Sequence, residues 1–215
     1  CVESKERTWE LMIYPVVGGF RMVAGKKGFF DGKPEAFSME ESEHAYIIRS
    51  KEHEMILQKE TLEISIDRKA ITNLKNISFI FEKESVSASR IQFSIHENSA
   101  IYGFGERFDS VNQYGKTVAL WQRDACEGCL ASIGNQAYKN IPLVHTSDGF
   151  SFFANTSYRM RMDVGDAVQD YLSVEALGDV FDFYIWSGTP REAMTAYGTL
   201  TGLPIFPPEW VFEPW

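Results

Sequence analysis

Arg90-Ile-Gln-Phe-Ser-Ile95 alternates polar and apolar side chains, so its three apolar residues fall on one face of an extended chain. The same period recurs in Thr61–Ile66, Tyr158–Val164 and Asp179–Trp186. Such alternation is typical of strands that bury one face and expose the other. We therefore predict four strands here, with Tyr158 and Met160 among the side chains that face the core.

Shorter apolar runs extend this pattern along the chain. They are Ile77–Phe81, Val118–Trp121 and Phe150–Asn155. Aromatic residues make up 14% of the sequence, but strands and sugar-binding sites both favour them, so this enrichment does not separate fold from function. Many short strands separated by turn signals, with almost no helical periodicity, indicate an all-β fold, a large antiparallel β-sandwich.

The C-terminal part follows a different pattern. Thr189-Pro-Arg-Glu192 is a capping box with proline at the first helical position, and it predicts one short helix that ends at Gly202. The proline-rich segment after it cannot continue a helix, and Val211–Trp215 has the pattern of a first strand of another unit. We expect a sandwich over residues 1–187, a linker helix over 188–203 and the start of a second domain over 204–215.

Charge and hydropathy argue against two classes of partner. The formal net charge is −9, and an acidic surface repels a phosphate backbone, so no nucleic acid is expected to bind. No apolar run approaches the roughly 18 residues of a membrane span, and no membrane association is expected. The chain opens at Cys1 instead of methionine, so we expect its natural start upstream. It shows no basic and apolar leader, and we predict a cytoplasmic location.

The cysteines argue against a metal site. Cys126 and Cys129 form a C-x-x-C pair, but no second cysteine pair or closely spaced histidine pair follows. A structural zinc ion needs four converging ligands, so we predict no metal at this pair. Three cysteines in a chain of 215 residues also favour reduced thiols over a disulfide framework.

Two irregular stretches, residues 105–117 and 122–140, are the candidates for chemistry because long loops in compact domains are often functional. Leu120-Trp-Gln-Arg-Asp124 lies where a predicted strand gives way to the second stretch. Trp121 offers an apolar ring face, and Arg123 and Asp124 can bond neighbouring sugar hydroxyls. On the residues alone, an exposed Arg123–Asp124 ion pair is the alternative interpretation.

Five short motifs occur in order along the second half of the chain. They are Gly103-Phe-Gly-Glu-Arg-Phe108, Trp121-Gln-Arg-Asp124, Tyr138-Lys-Asn-Ile-Pro142, Gly188-Thr-Pro-Arg-Glu192 and the segment Leu200–Trp210. Together they resemble signatures of glycoside hydrolase family 31, above all its bacterial α-xylosidase and α-glucosidase branch. The resemblance covers residues 100–215, whereas residues 1–99 match in strand character only.

This resemblance implies a galactose mutarotase-like supersandwich followed by a (β/α)8 barrel, which would begin within residues 204–215. The barrel of that family carries two catalytic aspartates that act with retention, so no catalytic residue and no cofactor are expected in this chain. The family's sugar-binding loop corresponds to Arg123 and Asp124, next to Trp121. We expect the N-terminal domain of an exo-acting α-glucosidase or α-xylosidase.

Two other functions stay open at this point. A stand-alone carbohydrate-binding sandwich would bind oligosaccharide without catalysis. An aldose epimerase would need paired catalytic histidines and a glutamate base, and His96 and His145 carry no motif of that type. The expected partners are therefore an oligosaccharide or α-glycoside substrate and the chain's own catalytic barrel, with a homo-oligomer as a further option.

Overall fold

A computed structural model describes residues 2–4, 7–26, 34–82, 85–122 and 137–212. Within these ranges sixteen strands form two sheets, and every pairing between neighbouring strands is antiparallel. The predicted antiparallel β-sandwich is thus confirmed.

The first sheet has seven strands in the order β1-β2-β3-β16-β13-β12-β10. Numbered in chain order, they are β1 (Val2–Ser4), β2 (Arg7–Val16), β3 (Gly19–Lys26), β10 (Ile101–Gly105), β12 (Asn140–Thr146), β13 (Phe150–Ala154) and β16 (Phe181–Ser187). Its centre, β16, pairs with β3 on one side and β13 on the other, so the two ends of the sequence meet in the middle of this sheet.

The second sheet has nine strands in the order β11-β14-β15-β9-β8-β7-β6-β5-β4. They are β4 (Ser38–Glu41), β5 (Ala45–Arg49), β6 (Glu54–Gln58), β7 (Glu63–Ile66), β8 (Lys69–Glu82), β9 (Ser85–Ser94), β11 (Lys116–Leu120), β14 (Met160–Val164) and β15 (Tyr171–Leu177). The helix α1 (Pro190–Thr201) and a 3-10 turn (Glu209–Phe212) follow the last strand.

The core lies between the sheets and is rich in phenylalanine. Phe93 of β9 stacks on Phe152 of β13 with ring centroids 4.5 Å apart and planes 19° apart. Phe183 of β16 completes the cluster, with its ring 6.2 Å from that of Phe93. The predicted faces of Arg90–Ile95 are confirmed, because Ile91 and Phe93 are fully buried.

The helix α1 covers the outer face of the first sheet. Its capping box forms as predicted, since Thr189 Oγ1 accepts a hydrogen bond from Glu192 N and the Glu192 carboxylate accepts one from Thr189 N. Ala193 and Ala196 are buried against Tyr184 and Trp186 of β16. Strand β16 is therefore buried on both faces, and the helix N-terminus is fixed to the sheet.

Tyr158 lies outside the core, and the prediction of its inward face is wrong. Strand β14 begins at Met160, and Tyr158 N donates instead to Thr156 Oγ1 at 3.2 Å in the preceding turn. The side chain is 62% exposed. The predicted inward face does hold from Met160 onward, because Met160, Met162 and Val164 are all buried.

The end of the described chain is helical rather than extended. The strand predicted over Val211–Trp215 is wrong for its first two residues, which lie in the 3-10 turn closed by a hydrogen bond from Val211 N to Pro208 O. Residues 213–215 lie outside the described ranges. Among the described residues, no helix is both long and apolar enough to cross a lipid bilayer.

Candidate functional site

Three of the sequence motifs meet at one end of the sandwich. The first spans the end of β10, the second follows β11 and the third leads into β12, whose register with β10 pairs Gly105 with Asn140. Although β11 belongs to the other sheet, Gln122 just beyond it forms an isolated bridge to Ala137. The bridge joins the two residues that flank the segment 123–136.

Asn140 is the centre of the hydrogen-bond network that joins these motifs. Gln122 Oε1 accepts from both Asn140 N at 3.0 Å and Asn140 Nδ2 at 2.8 Å. Asn140 Nδ2 also donates to Ala137 O at 3.1 Å, and Asn140 Oδ1 accepts from Arg107 Nη2 at 2.6 Å. One amide therefore fixes both flanks of the segment 123–136 to the loop after β10.

Two glycines allow the first motif to pack this closely. Gly103 and Gly105 both have positive φ, 114° and 86°, a conformation that side chains with a Cβ disfavour. A Cβ at Gly103 would collide with the carbonyl oxygen of Leu143, and one at Gly105 with that of Lys139. The glycines of this motif therefore allow the close approach of the two backbones, and Phe104 between them is fully buried.

The charged groups beside the network hold the loop after β10. Burial lowers the pKa of the Arg107 guanidinium, and the nearby Asp109 carboxylate opposes this shift. Burial alone would raise the pKa of Asp109, but hydrogen bonds from Lys116, at 2.8 Å, and from Gln113 outweigh it, so the pKa lies below its ordinary value. These residues stabilise the frame of the site, which sequence reasoning had not assigned to them.

Of the predicted sugar-binding residues, the structure places Trp121. Its side chain is 52% exposed and lies at a cavity of about 370 Å³ that Gln122, Asn140 and Tyr158 also line. Arg123 and Asp124 lie outside the described residues, as do Cys126 and Cys129. An exposed aromatic ring among amide groups suits a neutral polyhydroxylated ligand, because the ring covers apolar surface and the amides bond hydroxyl groups.

Tyr158 is the lining residue that sequence reasoning missed. It comes from the turn between β13 and β14, and the alternation of Tyr158–Val164 assigned it to the core instead. The only sequence signal against that assignment is the polar run Asn155–Ser157, which marks a turn. Its position at the same cavity as Trp121 depends on the pairing of β11 with β14, which no local pattern predicts.

The two histidines weighed for epimerase chemistry lie in different environments. His145 is buried, its Nδ1 lies 2.8 Å from Ser151 Oγ, and burial lowers its pKa. His96 instead lies at the surface with its side chain 86% exposed, 3.0 Å from Asp148. Within the described ranges, no group of three or more His, Cys, Asp or Glu side chains is placed to hold a metal ion.

Replacing the central amide should weaken the frame. We expect Asn140→Ala to lower the free energy of unfolding by about 1–3 kcal/mol, since it removes a side-chain acceptor from half-buried Arg107 and a donor to Gln122. The measurement is urea denaturation of the chain. Asn76→Ala, which removes a half-buried amide of β8, is the control and should change stability by no more than about 0.5 kcal/mol. Equal stability of the two variants would contradict this role.

Comparisons with known proteins give one consistent picture. A protein-family model described as the glycosyl hydrolase 31 N-terminal galactose mutarotase-like domain matches residues 4–163. The α-xylosidase XylQ of Lactiplantibacillus pentosus is 34% identical over 131 residues, and α-glucosidase 2 of Bacillus thermoamyloliquefaciens is 24% identical over 181 residues. These matches cover 60% and 80% of the chain but only 16% and 22% of the two relatives.

A solved structure shares the fold across almost the whole chain. The cycloalternan-forming enzyme from Listeria monocytogenes, in complex with a pentasaccharide substrate, superposes with a TM-score of 0.84 at 18% sequence identity. The match covers 97% of this chain and 21% of that one. The chain thus spans between 16% and 22% of the length of these three proteins.

Proposed function

Because the chain belongs to the glycosyl hydrolase 31 N-terminal galactose mutarotase-like domain family, we propose that it shapes the sugar site of a retaining, exo-acting α-glycosidase. The substrate would be a terminal α-linked glucose or xylose at the non-reducing end. The observation that carries the proposal is the convergence of three motifs on Asn140, which holds both flanks of the segment 123–136 at one end of the sandwich.

In this proposal the segment after β11 reaches into the active site of a following barrel. Trp121 would cover an apolar face of the sugar, and Asp124 would accept hydrogen bonds from two neighbouring hydroxyls. Arg123 would orient that carboxylate or contact the sugar itself. The bond-breaking nucleophile and the acid would both come from the barrel, so the chain needs no catalytic residue and no cofactor of its own.

Asp124→Ala in the whole enzyme tests this assignment. Loss of one charged hydrogen-bonding contact typically costs about 1.5–3 kcal/mol, so kcat/KM on the best α-glycoside should fall roughly 10- to 150-fold. Arg123→Ala should cost less. The measurement is steady-state kinetics, with Tm recorded for each variant to exclude loss of folded protein.

Asp170→Ala is the matched control, because it removes an exposed carboxylate just before β15. It should leave kcat/KM and Tm unchanged. If Arg123 and Asp124 formed only an exposed ion pair, Asp124→Ala would cost about 0–1 kcal/mol, and in stability rather than catalysis. A kcat/KM for Asp124→Ala equal to that of the control would show that Asp124 does not contact the substrate.

The segment after α1 is the proposed contact with the barrel. Five of its apolar side chains are exposed, from 57% to 91%: Leu203, Ile205, Phe206, Trp210 and Phe212. Large exposed apolar patches usually mark an interface. We assign residues 1–187 to the sandwich, 188–203 to a linker helix and 204–215 to the start of the barrel that would cover this patch.

Removal of residues 204–215 should abolish most binding of a hydrophobic dye by the chain. The double variant Ile205→Ser with Phe206→Ser should also reduce dye fluorescence. It keeps the length of the chain and so separates the loss of apolar side chains from the loss of the segment. Size-exclusion chromatography at several concentrations accompanies the dye titration. Weak dye binding that neither change reduces would contradict an exposed interface, and a dimer that both changes dissolve would assign the patch to a second copy instead of a barrel.

A further inference from the structure

Tyr158 has the geometry of a stacking platform. Its ring packs against Gly178, whose φ is 103°, because a Cβ at Gly178 would approach Cδ2 and Cε2 of the ring to 3.1 and 3.2 Å. The lack of a side chain at Gly178 therefore lets the ring lie close to the backbone on this side. Tyr158 is nevertheless 62% exposed, so much of the ring is open to solvent.

The platform lies between two cavities that form one surface groove. The smaller cavity, of about 370 Å³, is the one at Trp121, and the larger one measures about 860 Å³ and extends to Tyr197 on α1. Tyr158 and Ser157 line both, together with Asn140, Pro142 and Thr156. We call the two together the Tyr158 groove, and each part falls within the size range of ligand pockets, about 300–1,000 Å³.

The polar wall of the groove is held in place by an ion pair. Asp182 is bound by Arg21 through two hydrogen bonds, from Nε at 2.8 Å and from Nη2 at 2.7 Å. Asn155 Nδ2 donates to the same carboxylate at 2.7 Å, which leaves Asn155 Oδ1 as an acceptor. The Arg21 hydrogen bond to Asp182 raises the pKa of the guanidinium, and the carboxylate that Arg21 holds in place in turn orients the amide of Asn155.

The second end of the groove is also aromatic. Tyr197 packs edge-to-face on Phe153 with ring centroids 5.1 Å apart, and both residues line the larger cavity. Aromatic rings therefore lie at Trp121, at Tyr158 and at Tyr197, with amides and hydroxyls between them. Such an alternation fits a chain of neutral sugar rings, each of which has an apolar face and a rim of hydroxyl groups.

The charge of the groove argues against an anionic ligand. Among the described residues that line the groove none is lysine or arginine, while Asp179 and Asp182 both lie along it. A phosphate or other anion would meet the Asp179 carboxylate with no lysine or arginine among these lining residues to bind it. The lining thus favours a neutral ligand with many hydroxyl groups.

We propose that the Tyr158 groove binds an α-linked oligosaccharide chain, with one sugar ring stacked on Tyr158 and the chain running from Trp121 toward Tyr197. The α linkage rests on the proposed function, whereas the groove rests on its own residues. Sugar units beyond the reacting one would then be held by this domain, which would favour longer substrates.

Calorimetric titration of maltoheptaose into the 215-residue chain tests this proposal. The wild type should bind, and Tyr158→Ala should weaken the affinity by about tenfold or more. Tyr158→Phe keeps the ring and should stay within about threefold of wild type. Phe37→Ala removes an exposed aromatic ring before β4, outside the groove lining, and should have no effect.

A second variant keeps the proposal testable if Tyr158→Ala fails to fold. Ser157→Arg places a long side chain in the groove while it keeps the ring of Tyr158, and it should weaken binding by about tenfold or more as well. No binding of maltoheptaose by the wild type at millimolar concentration, or equal affinity for wild type and Ser157→Arg, would overturn the groove. The test of Asp124 uses another residue and another readout, so failure of the groove and failure of the proposed active-site role are distinguishable.

Discussion

The 215-residue chain alone should release no nitrophenol from aryl α-glucosides or aryl α-xylosides, whereas the whole enzyme should release it from at least one of them. The reason is that retention requires a carboxylate nucleophile and a separate acid, and the proposal places both in the barrel. A chain that only positions sugar cannot form the covalent intermediate. This is the largest effect we expect, because it is the difference between turnover and none.

The measurement needs a control for contaminating glycosidases. Chain purified by two unrelated routes should show a background rate that differs between preparations and doesn't scale with the amount of chain. Asp124→Ala in the isolated chain should show the same background as the wild type. Activity that scales with the chain in both preparations would contradict the division of labour that we propose.

Phe93→Ala should lower the free energy of unfolding by about 3–5 kcal/mol, the usual cost of deleting a buried aromatic side chain. Phe93 is fully buried and stacks on Phe152 of the opposite sheet, so its loss leaves a cavity between the two sheets. Urea denaturation followed by circular dichroism gives the value, provided that the slope with denaturant concentration is unchanged.

Phe37→Ala is the matched control, since it deletes the same side chain at a position that is 47% exposed. This substitution should lower the free energy of unfolding by less than about 1 kcal/mol, as expected at the surface. A similar decrease in the free energy of unfolding for Phe93→Ala and Phe37→Ala would mean that packing between the two sheets does not dominate the stability of this fold.

Much of the fold could be predicted because period-two alternation is local. Ile91, Phe93, Met160 and Met162 are buried where the pattern placed them. The pattern cannot give strand order, and β16 pairs with β3 from the far end of the chain. Apolar side chains on both faces of β16, such as Tyr184 and Ile185, were the available signal that a helix covers its outer side.

The candidate site was predictable only in part. The motif Trp121–Asp124 was found from its chemistry and its position at a strand end, and Trp121 does line a cavity. Asn140 was not singled out, because asparagine is common in loops and its partners Arg107 and Gln122 are 33 and 18 residues away. The family model also reaches back to residue 4, where the sequence offered strand alternation alone.

The most direct test of the central claim follows the first product anomer formed by the whole enzyme. Proton NMR during hydrolysis of 4-nitrophenyl α-glucoside and, separately, α-xyloside shows which anomer appears before mutarotation. A retaining α-glycosidase yields the α-sugar first from at least one of these substrates. The β-anomer as first product, or hydrolysis of neither substrate, would contradict the assignment of this chain to the sugar site of a retaining α-glycosidase.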